Sequence, residues 1–468
     1  MLFTLTPFDW WTLHGLVTVL ALLVYVITSH VTRQRRQPAA AIAWVFFILL
    51  MPYVALPAYL TFGSRKRPRP AVHAVPLALP APGGEAWVTR TLCALGQPVP
   101  AAYRDLQVHE DGCAARAALM AAVFSARQRI EIATFILKDD VLGTELMDAL
   151  CAQARAGVQV RLLLDGLGSL MAGRPKLQRL TDAGAQCLLF VPPLHSPLRG
   201  RTNLRNHRKL VLVDAGQPHA RLWCGGRNLA AEYFEGQPGV PVWCDLSYDL
   251  RGPLVQQASD LFEHDWAFAG GQARPASPLP ASLADPGAAP LPQAQWAASG
   301  PDQADDTVYA LLLTATHRAN ARLSLATPYF VPDPALLMAL CLAARRGVVV
   351  DLLLPARSNH GLSDLARNRA LRALVQAGGR VWFWPGMLHA KLVIVDDVLA
   401  LAGSANLDSR SLFLNYELML AFEPGEAVQR FQAWFDQQRA QATAHHPRPA
   451  GLVRDLLEGM LLWTGFEL

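Results

Sequence analysis

The sequence Asn-His-Arg-Lys-Leu-Val-Leu-Val-Asp occupies residues 206–214, and Leu-His-Ala-Lys-Leu-Val-Ile-Val-Asp occupies residues 388–396. Both follow the pattern H-x-K-x-x-x-x-D, with an unbroken apolar run before the aspartate. Such a run predicts a buried strand. Because side chains alternate along a strand, the histidine and lysine of each copy are expected on the same face.

A histidine and a lysine side by side suit a reaction at an anionic phosphorus centre. The lysine supplies positive charge, and the imidazole can attack phosphorus or carry a proton near neutral pH. Each aspartate is expected to close its strand and fix the local geometry. Arg208 should point away from its neighbours and have a structural role. The candidate catalytic set comprises the matching positions of both copies: His207, Lys209, Asp214, His389, Lys391 and Asp396.

A short glycine and asparagine element follows each copy. Cys-Gly-Gly-Arg-Asn occupies residues 224–228, and Gly-Ser-Ala-Asn occupies residues 403–406. Small residues allow backbone N–H groups and an asparagine amide to approach a phosphate. Asn228, Ser404 and Asn406 are therefore candidate phosphate-binding residues. A single copy arises easily by chance, whereas repetition of the whole block indicates a function.

These residues resemble the phospholipase D superfamily, whose signature is a duplicated H-x-K-x-x-x-x-D followed by G-(G/S)-x-N. More narrowly, the chain is similar to bacterial cardiolipin synthases, because Gly-Ser-Ala-Asn-Leu-Asp-Ser-Arg-Ser at 403–411 and Leu-Asn-Tyr-Glu at 414–417 follow the second copy. The resemblance covers nearly the whole chain. It implies transfer of a phosphatidyl group from one phosphatidylglycerol to another through a phosphohistidine, with release of glycerol. Hydrolysis to phosphatidic acid is the alternative.

The resemblance also implies that the two signatures meet in one cleft near a pseudo-twofold axis. His207 is then the nucleophile and His389 the acid and base, although the reverse assignment stays open. Lysines and asparagines would hold the phosphate in place of the divalent metal used by many phosphoryl-transfer enzymes, so neither metal nor cofactor is expected. Asp245 and Glu417 are candidates to orient the histidines. Which carboxylate serves which histidine is left open.

The order strand, helix, strand occurs twice along the chain. Predicted elements at 130–136, 145–155 and 158–164 are matched by others at 322–327, 340–346 and 348–354. Strands that alternate with helices predict an α/β fold. The expected fold is therefore two phospholipase D-like α/β sandwich halves with pseudo-twofold symmetry, preceded by a two-helix transmembrane anchor. The predicted boundaries are a transmembrane hairpin at 1–64, a linker at 65–105, the first half at 106–266, an irregular connection at 267–302, the second half at 303–440 and a helical tail at 441–468.

Two apolar segments open the chain. Residues 10–32 and 37–64 contain no Asp, Glu, Lys or Arg, and each exceeds the roughly 20 residues needed to cross a bilayer. Pro52 and Pro57 are expected to kink the second segment or make it re-entrant. Arginines lie on both sides of the second segment, so the positive-inside rule barely decides the orientation. The rule favours a catalytic body in the cytoplasm. Together with the resemblance, the two segments imply a multi-pass protein of the bacterial inner membrane.

Charge and cysteine content limit the partners. The formal net charge of +5 is modest, which suits an anionic lipid surface and argues against nucleic acid as a partner. Seven scattered cysteines suit a reducing compartment. Phosphatidylglycerol and membrane lipid are the expected partners, without metal, and the oligomeric state is left open. A nuclease-like phosphodiesterase and a non-catalytic lipid-binding protein are the competing classes.

Overall fold

The computed structural model describes residues 7–31, 38–63, 87–173, 177–192, 203–275, 290–303 and 305–447, together with residues 451 and 458. Residues 65–86 of the predicted linker and most of the predicted C-terminal helical tail lie outside these ranges.

The N-terminal apolar segments form three helices, α1 (Pro7–Val31), α2 (Pro38–Leu50) and α3 (Pro52–Phe62). Within the described residues, only Trp10–Ser29 of α1 is both long and apolar enough to cross a membrane by itself. The predicted second helix is divided at Met51, because Pro52 occupies the first turn of α3. The three helices share a small apolar core, and Thr28 hydrogen-bonds the Tyr59 hydroxyl at 2.8 Å. The first helix of the predicted anchor is present as one long helix, and the second predicted segment is broken at the proline, as Pro52 leads one to expect.

The first half is built on a seven-stranded sheet with the order β2-β8-β7-β6-β3-β4-β5. Its strands are β2 (Arg104–Val108), β3 (Arg129–Thr134), β4 (Gln159–Leu164), β5 (Gln186–Leu189), β6 (Leu210–Val213), β7 (Arg221–Gly225) and β8 (Ser247–Arg251). Its helices are α5 (Gly112–Phe124), α6 (Val141–Arg155), α7 (Gly166–Met171), α8 (Gln178–Asp182) and α9 (Leu254–Phe268).

The second half is built on a nine-stranded sheet with the order β1-β9-β17-β15-β14-β10-β12-β13-β18. Its strands are β1 (Ala101–Ala102), β9 (Gln293–Ser299), β10 (Arg322–Ala326), β12 (Val349–Pro355), β13 (Arg380–Trp384), β14 (Leu392–Val395), β15 (Leu399–Gly403), β17 (Glu417–Phe422) and β18 (Thr443–Ala444). A separate pair joins β11 (Phe330–Val331) to β16 (Leu407–Asp408). The helices are α4 (Trp87–Ala94), α10 (Thr307–Arg318), α11 (Pro334–Arg345), α12 (Gly361–Gln376), α13 (Ser409–Phe413) and α14 (Glu426–Ala440).

The two sheets repeat one topology, as the duplicated sequence pattern predicts. Strands β2 to β8 of the first sheet correspond in order to β9, β10, β12, β13, β14, β15 and β17 of the second. Helices in both halves begin at an aspartate whose carboxylate accepts backbone N–H groups, as at Asp140 and Asp333. Helices α6 and α11 are each followed by a glycine with φ of +92°, Gly157 and Gly347, a conformation that favours glycine.

Three predicted regions differ from the structure. The region 267–302 contains β9, a buried strand that pairs with β17 and is the counterpart of β2. The region 65–105 contains α4, whose Trp87, Val88 and Leu92 pack into the core of the second half. Strand β9 is rich in alanine and glutamine rather than β-branched residues, so its composition gives no strand signal. The predicted tail begins with β18 rather than a helix.

One apolar core belongs to both halves. It combines residues from the first sheet and α9, such as Leu250 and Phe262, with residues from the second sheet and α14, such as Leu420 and Phe431. Two further cores lie within single halves, one including α5 and α6 and the other including α10, α11 and α12. The shared core holds the two sheets together and fixes the ends of β6 and β14 relative to each other.

The aspartate of each signature lies at the end of its strand away from the histidine. Asp214 accepts hydrogen bonds from the backbone N–H groups of residues 127, 128 and 129, each at 2.8 Å. Asp396 accepts the equivalent three from residues 320, 321 and 322 at 2.7 to 3.0 Å. Both aspartates close their strands in the structure, and from these contacts we infer a structural role. Their predicted place among the catalytic residues stays a prediction, which the following substitution tests.

We expect Asp396→Ala to destabilise the protein without impairing its chemistry. The substitution leaves three backbone N–H groups without their charged acceptor, a cost of about 2–3 kcal/mol. A lower apparent melting temperature in detergent should accompany unchanged activity per folded molecule at 25 °C. The control is Asp397→Ala, because the neighbouring Asp397 side chain is 87% exposed. An activity loss in Asp396→Ala as deep as that of a histidine variant would contradict this assignment.

Candidate active site

Main-chain hydrogen bonds join the two halves beside both histidines. The His207 N–H donates to the Tyr416 carbonyl oxygen at 2.9 Å, and the Tyr416 N–H donates to the Arg205 oxygen at 2.8 Å. The same arrangement recurs where the His389 N–H donates to the Cys244 oxygen at 2.6 Å. Each histidine is therefore fixed by backbone of the opposite half.

Each imidazole is also oriented by a carboxylate of the opposite half. His207 Nδ1 lies 3.1 Å from Glu417 Oε2, and His389 Nδ1 lies 2.7 Å from Asp245 Oδ2. Both carboxylates are buried, as are the histidines, which are 9% and 3% exposed. The structure thus brings together the four predicted residues and pairs them crosswise. With Nδ1 carrying the proton toward the carboxylate, Nε2 of each ring is left to react.

The two carboxylates have different surroundings. Glu417 accepts additional hydrogen bonds from the Ser404 hydroxyl at 2.5 Å and from Asn415 Nδ2 at 3.2 Å. Asp245 accepts an additional bond from the Leu246 N–H at 2.7 Å. The Ser404 hydroxyl, predicted to bind phosphate, instead positions Glu417 and accepts the Leu418 N–H at 2.9 Å.

The two signature lysines are buried between these pairs. Lys209 Nζ donates to the His207 carbonyl at 2.8 Å, and Lys391 Nζ lies 2.7 and 3.0 Å from the ring nitrogens of His389. Burial lowers the pKa of Lys209 to about 7, and the charge of Lys391 adds to this effect. Burial lowers the pKa of Lys391 to about 8, against the attraction of Asp245 and Glu417. Both ammonium groups therefore titrate near neutral pH while the cleft holds no anion.

The histidines are neutral under the same conditions. Burial lowers the pKa of His389 to about 3, with Lys391 acting in the same direction and Asp245 opposing it. Burial also lowers the pKa of His207, against the attraction of Glu417. Each lysine lowers the pKa of the histidine in the opposite half as well. A neutral imidazole with a free Nε2 lone pair is the form that attacks phosphorus.

The side-chain amide of each signature asparagine is buried and engaged in a hydrogen bond. Asn228 Nδ2 donates to the Tyr233 hydroxyl at 2.8 Å. Asn406 hydrogen-bonds Asp408, whose pKa is raised to about 6 by burial and by the charge of Glu417. An amide NH₂ has two hydrogens, so each asparagine retains one to donate to a phosphate oxygen.

Aromatic rings that sequence reasoning missed enclose the histidines. The Phe135 ring meets His207 edge-on with centroids 5.2 Å apart. The rings of Tyr233 and Trp243 lie 4.9 and 5.9 Å from His389. Tyr233 and Asp408 were also missed as partners of the asparagines. The sequence offers one weak signal, because Trp243 directly precedes the segment containing Asp245. These rings exclude water from the imidazoles.

Arg208 has the structural role predicted for it. Its guanidinium is fully buried and donates to Asp265 Oδ1 at 2.5 Å, to the Glu417 carbonyl at 3.2 Å and to the Ser299 carbonyl at 3.3 Å. It therefore ties the first signature to β9 and β17 of the second half. Among the residues that the structure describes, no group of three or more His, Cys, Asp or Glu side chains is arranged to hold a metal ion.

Comparisons with known proteins agree with this geometry. A family model described as cardiolipin synthase, PLD-like domain, matches residues 119–266 and 312–439, and one described as phospholipase D-nuclease N-terminal matches residues 17–64. The chain is 33% identical to cardiolipin synthase A of Pseudomonas entomophila (strain L48) over 467 residues, which cover 94% of this chain and 95% of that protein. It is 32% identical to cardiolipin synthase A of Pseudomonas aeruginosa (strain LESB58), over 94% of this chain and 93% of that protein.

A solved structure has the same fold. The crystal structure of phosphatidylserine synthase from Haemophilus influenzae Rd KW20 matches 81% of this chain and 100% of its own chain, with a TM-score of 0.61 and 14% identity.

We expect anion binding in the cleft to weaken as pH rises. Lys209 and Lys391, with pKa values of about 7 and 8, lose their charge above these values, and a bound anion requires that charge. Sulfate does not titrate in this range, so its inhibition constant should rise about tenfold or more between about pH 6.5 and about pH 9. Inhibition should be measured with full-length protein in detergent. Lys138→Met is the control, because the side chain of this lysine is 35% exposed and pairs with Glu232. A pH-independent inhibition constant would contradict the interpretation.

Proposed function

This chain belongs to the cardiolipin synthase family of phospholipase D-like phosphatidyltransferases, and from this premise we propose that His207 and His389 carry out the transfer in two displacements. The observation that carries the proposal is the crosswise pairing of each histidine with a buried carboxylate of the other half, His207 with Glu417 and His389 with Asp245. Because each carboxylate holds the proton of its imidazole on Nδ1, both histidines of the cleft have a defined tautomer.

In the first displacement, Nε2 of His207 attacks the phosphorus of a phosphatidylglycerol bound in the cleft. His389 takes up a proton from solvent on Nε2 as the anionic substrate enters. When the bond from phosphorus to the glycerol oxygen breaks, His389 gives this proton to the departing alkoxide. The anionic phosphodiester raises the pKa of His389 and of both lysines as it enters, since it adds negative charge to a buried site. Lys209, Lys391, Asn228 and Asn406 hold the phosphate oxygens and stabilise the developing charge.

In the second displacement, the glycerol hydroxyl of another phosphatidylglycerol attacks the phosphohistidine. His389 accepts the proton of that hydroxyl, the bond from phosphorus to His207 Nε2 breaks, and cardiolipin is released. One phosphodiester has been exchanged for another, so the reaction is nearly balanced in free energy and needs no nucleotide. The aromatic rings around the histidines disfavour water as the competing nucleophile.

The difference between the two carboxylates supports His389 as the acid and base. Glu417 shares its negative charge among His207, Ser404 and Asn415. Asp245 holds its histidine at the shorter distance of 2.7 Å and accepts fewer other hydrogen bonds. Asp245 therefore favours an imidazolium on its histidine, against the opposing effect of burial and Lys391, and the entering phosphodiester must offset this effect before His389 can protonate the alkoxide.

The proposed membrane arrangement rests on the N-terminal helices and on the basic residues that follow them. Helix α1 has 25 residues and is about 37 Å long, enough to span a hydrocarbon core of about 30 Å. Helices α2 and α3 pack with α1 and form a second, broken pass in this proposal. The basic residues at 65–69 favour a catalytic body in the cytoplasm, and we propose the bacterial inner membrane as its site.

The first test of the function is product analysis by mass spectrometry, with purified protein in phosphatidylglycerol vesicles. We expect cardiolipin and free glycerol in equal amounts, with turnover reduced by about three orders of magnitude or more in His207→Ala and in His389→Ala. Asp397→Ala serves as a matched surface control. Phosphatidic acid as the main product would identify a hydrolase and contradict the transfer.

A second test separates the roles of the histidines. With phosphatidyl-p-nitrophenol as donor, the leaving group needs no protonation, so His389→Ala should release about one equivalent of nitrophenol and retain a phosphatidyl adduct on His207. Intact-protein mass spectrometry and peptide mapping would locate the adduct. His207→Ala should give neither burst nor adduct. An adduct on His389 in the His207→Ala variant would reverse the assignment.

A further inference from the structure

Five large apolar side chains are exposed at the edge of the molecule that contains the histidines. We call them the apolar rim: Leu170 and Met171 at the end of α7, Val242 in the loop before β8, and Leu362 and Leu365 at the start of α12. Their exposed fractions are 39%, 69%, 49%, 55% and 38%, respectively. Exposed bulky apolar residues that cluster around a site indicate a contact surface.

Helix α7 lies directly beside His207. It begins after β4, and its cap Asp165 accepts the Asn206 N–H at 2.9 Å, one residue before His207. Gly168 packs so closely on the Phe135 backbone that a Cβ there would lie 1.9 Å from the carbonyl oxygen. Phe135 in turn contacts His207. The last turn of α7, with Leu170 and Met171, is therefore fixed next to the first half of the cleft.

The other rim residues lie on the side of His389. Val242 adjoins Trp243, whose ring is 5.9 Å from the His389 imidazole. Helix α12 starts at the same sheet edge, since it follows β12, and β12 is parallel to β13, which leads into the second signature. Thus α7 follows β4, and α12 follows β12, the counterpart of β4. The repeated topology puts apolar side chains on both sides of the cleft.

The charge around the rim is sparse and positive. Helix α7 and residues 236–243 contain no charged side chain, and residues 356–363 contain one, the exposed Arg357. The nearest acid on α12, Asp364, is half-buried and lies 3.1 Å from Arg367. Apolar side chains with a cation beside them match the boundary between acyl chains and anionic headgroups.

We propose that the apolar rim seats the cleft on the membrane surface, so that phosphatidylglycerol reaches the histidines without passing through bulk water. This inference rests on the proposed function, because a diacyl substrate resides in the bilayer. His207 and His389 are 9% and 3% exposed, and contact of the rim with the headgroup layer would bring a lipid phosphate to the surface nearest to them. Helix α1 tethers the chain to the membrane, and the rim orients the catalytic body on it.

The test compares two forms of the same substrate with full-length protein. The variant Met171→Gln/Leu362→Gln should lose about tenfold of its activity on phosphatidylglycerol vesicles, because two contacts with the acyl boundary are weakened. Its activity on short-chain phosphatidylglycerol below the critical micelle concentration should equal that of the wild type. The matched control is Met338→Gln/Leu342→Gln on α11, where the same residue types are 56% and 40% exposed.

Each other outcome has a distinct meaning. Unchanged vesicle activity, or an equal loss in rim and control variants, would overturn the membrane contact. A loss on vesicles and on monomeric substrate alike would locate the defect in the cleft and also contradict it. If the rim variant dissociated an oligomer without changing the ratio of the two activities, the rim would be an interface between copies. No cardiolipin from either substrate with wild-type protein would refute the proposed function rather than the rim.

Discussion

The crosswise pairing of histidine and carboxylate is the constraint on which the catalytic body depends. Glu417 and Asp245 are nearly inaccessible, and a buried carboxylate without a partner is strongly destabilising. The imidazole partner of each carboxylate lies in the other half, 3.1 Å from Glu417 and 2.7 Å from Asp245. Neither half alone supplies the imidazole that its carboxylate binds. The shared apolar core therefore holds the two halves in the arrangement that completes both hydrogen-bonded pairs.

The same burial sets the chemical state of the site. Two lysines and two carboxylates balance formally, which leaves both histidines neutral and the lysine pKa values near 7 and 8. In a medium of low polarity, an entering phosphodiester changes these values more than it would in water. Substrate binding and protonation are thus coupled, and the acid needed for the first displacement forms as the anion arrives. The packing that stabilises the fold also prepares the cleft for a monoanionic lipid phosphate.

Sequence reasoning succeeded where the information was local. The period-two pattern, the apolar runs and the glycine elements identified β6, β14 and the paired histidines, and Pro52 anticipated the break before α3. It failed where contacts between residues distant in the sequence determine the role of a residue or strand. Ser404 looks like a phosphate ligand in its motif, but Glu417 takes its hydroxyl. Strand β9 has small residues and is defined by its place beside β17, and Tyr233 acquires its role through Asn228 and His389.

The two halves repeat one topology but differ where their carboxylates pack. A Cβ at Gly226 would lie 2.3 Å from Asp245 Oδ1, so the shorter carboxylate requires a glycine at this position. Ser404 occupies the corresponding position in the second half, and its hydroxyl fits the longer Glu417. In the first half, a larger residue at position 226 beside Asp245 would create a clash. In the second half, a shorter carboxylate at position 417 would leave the Ser404 hydroxyl without its acceptor. The residue pairs must therefore change together, and this coupled difference lets two copies of one motif hold their histidines with unequal strength. One histidine can then serve as the nucleophile and the other as the acid.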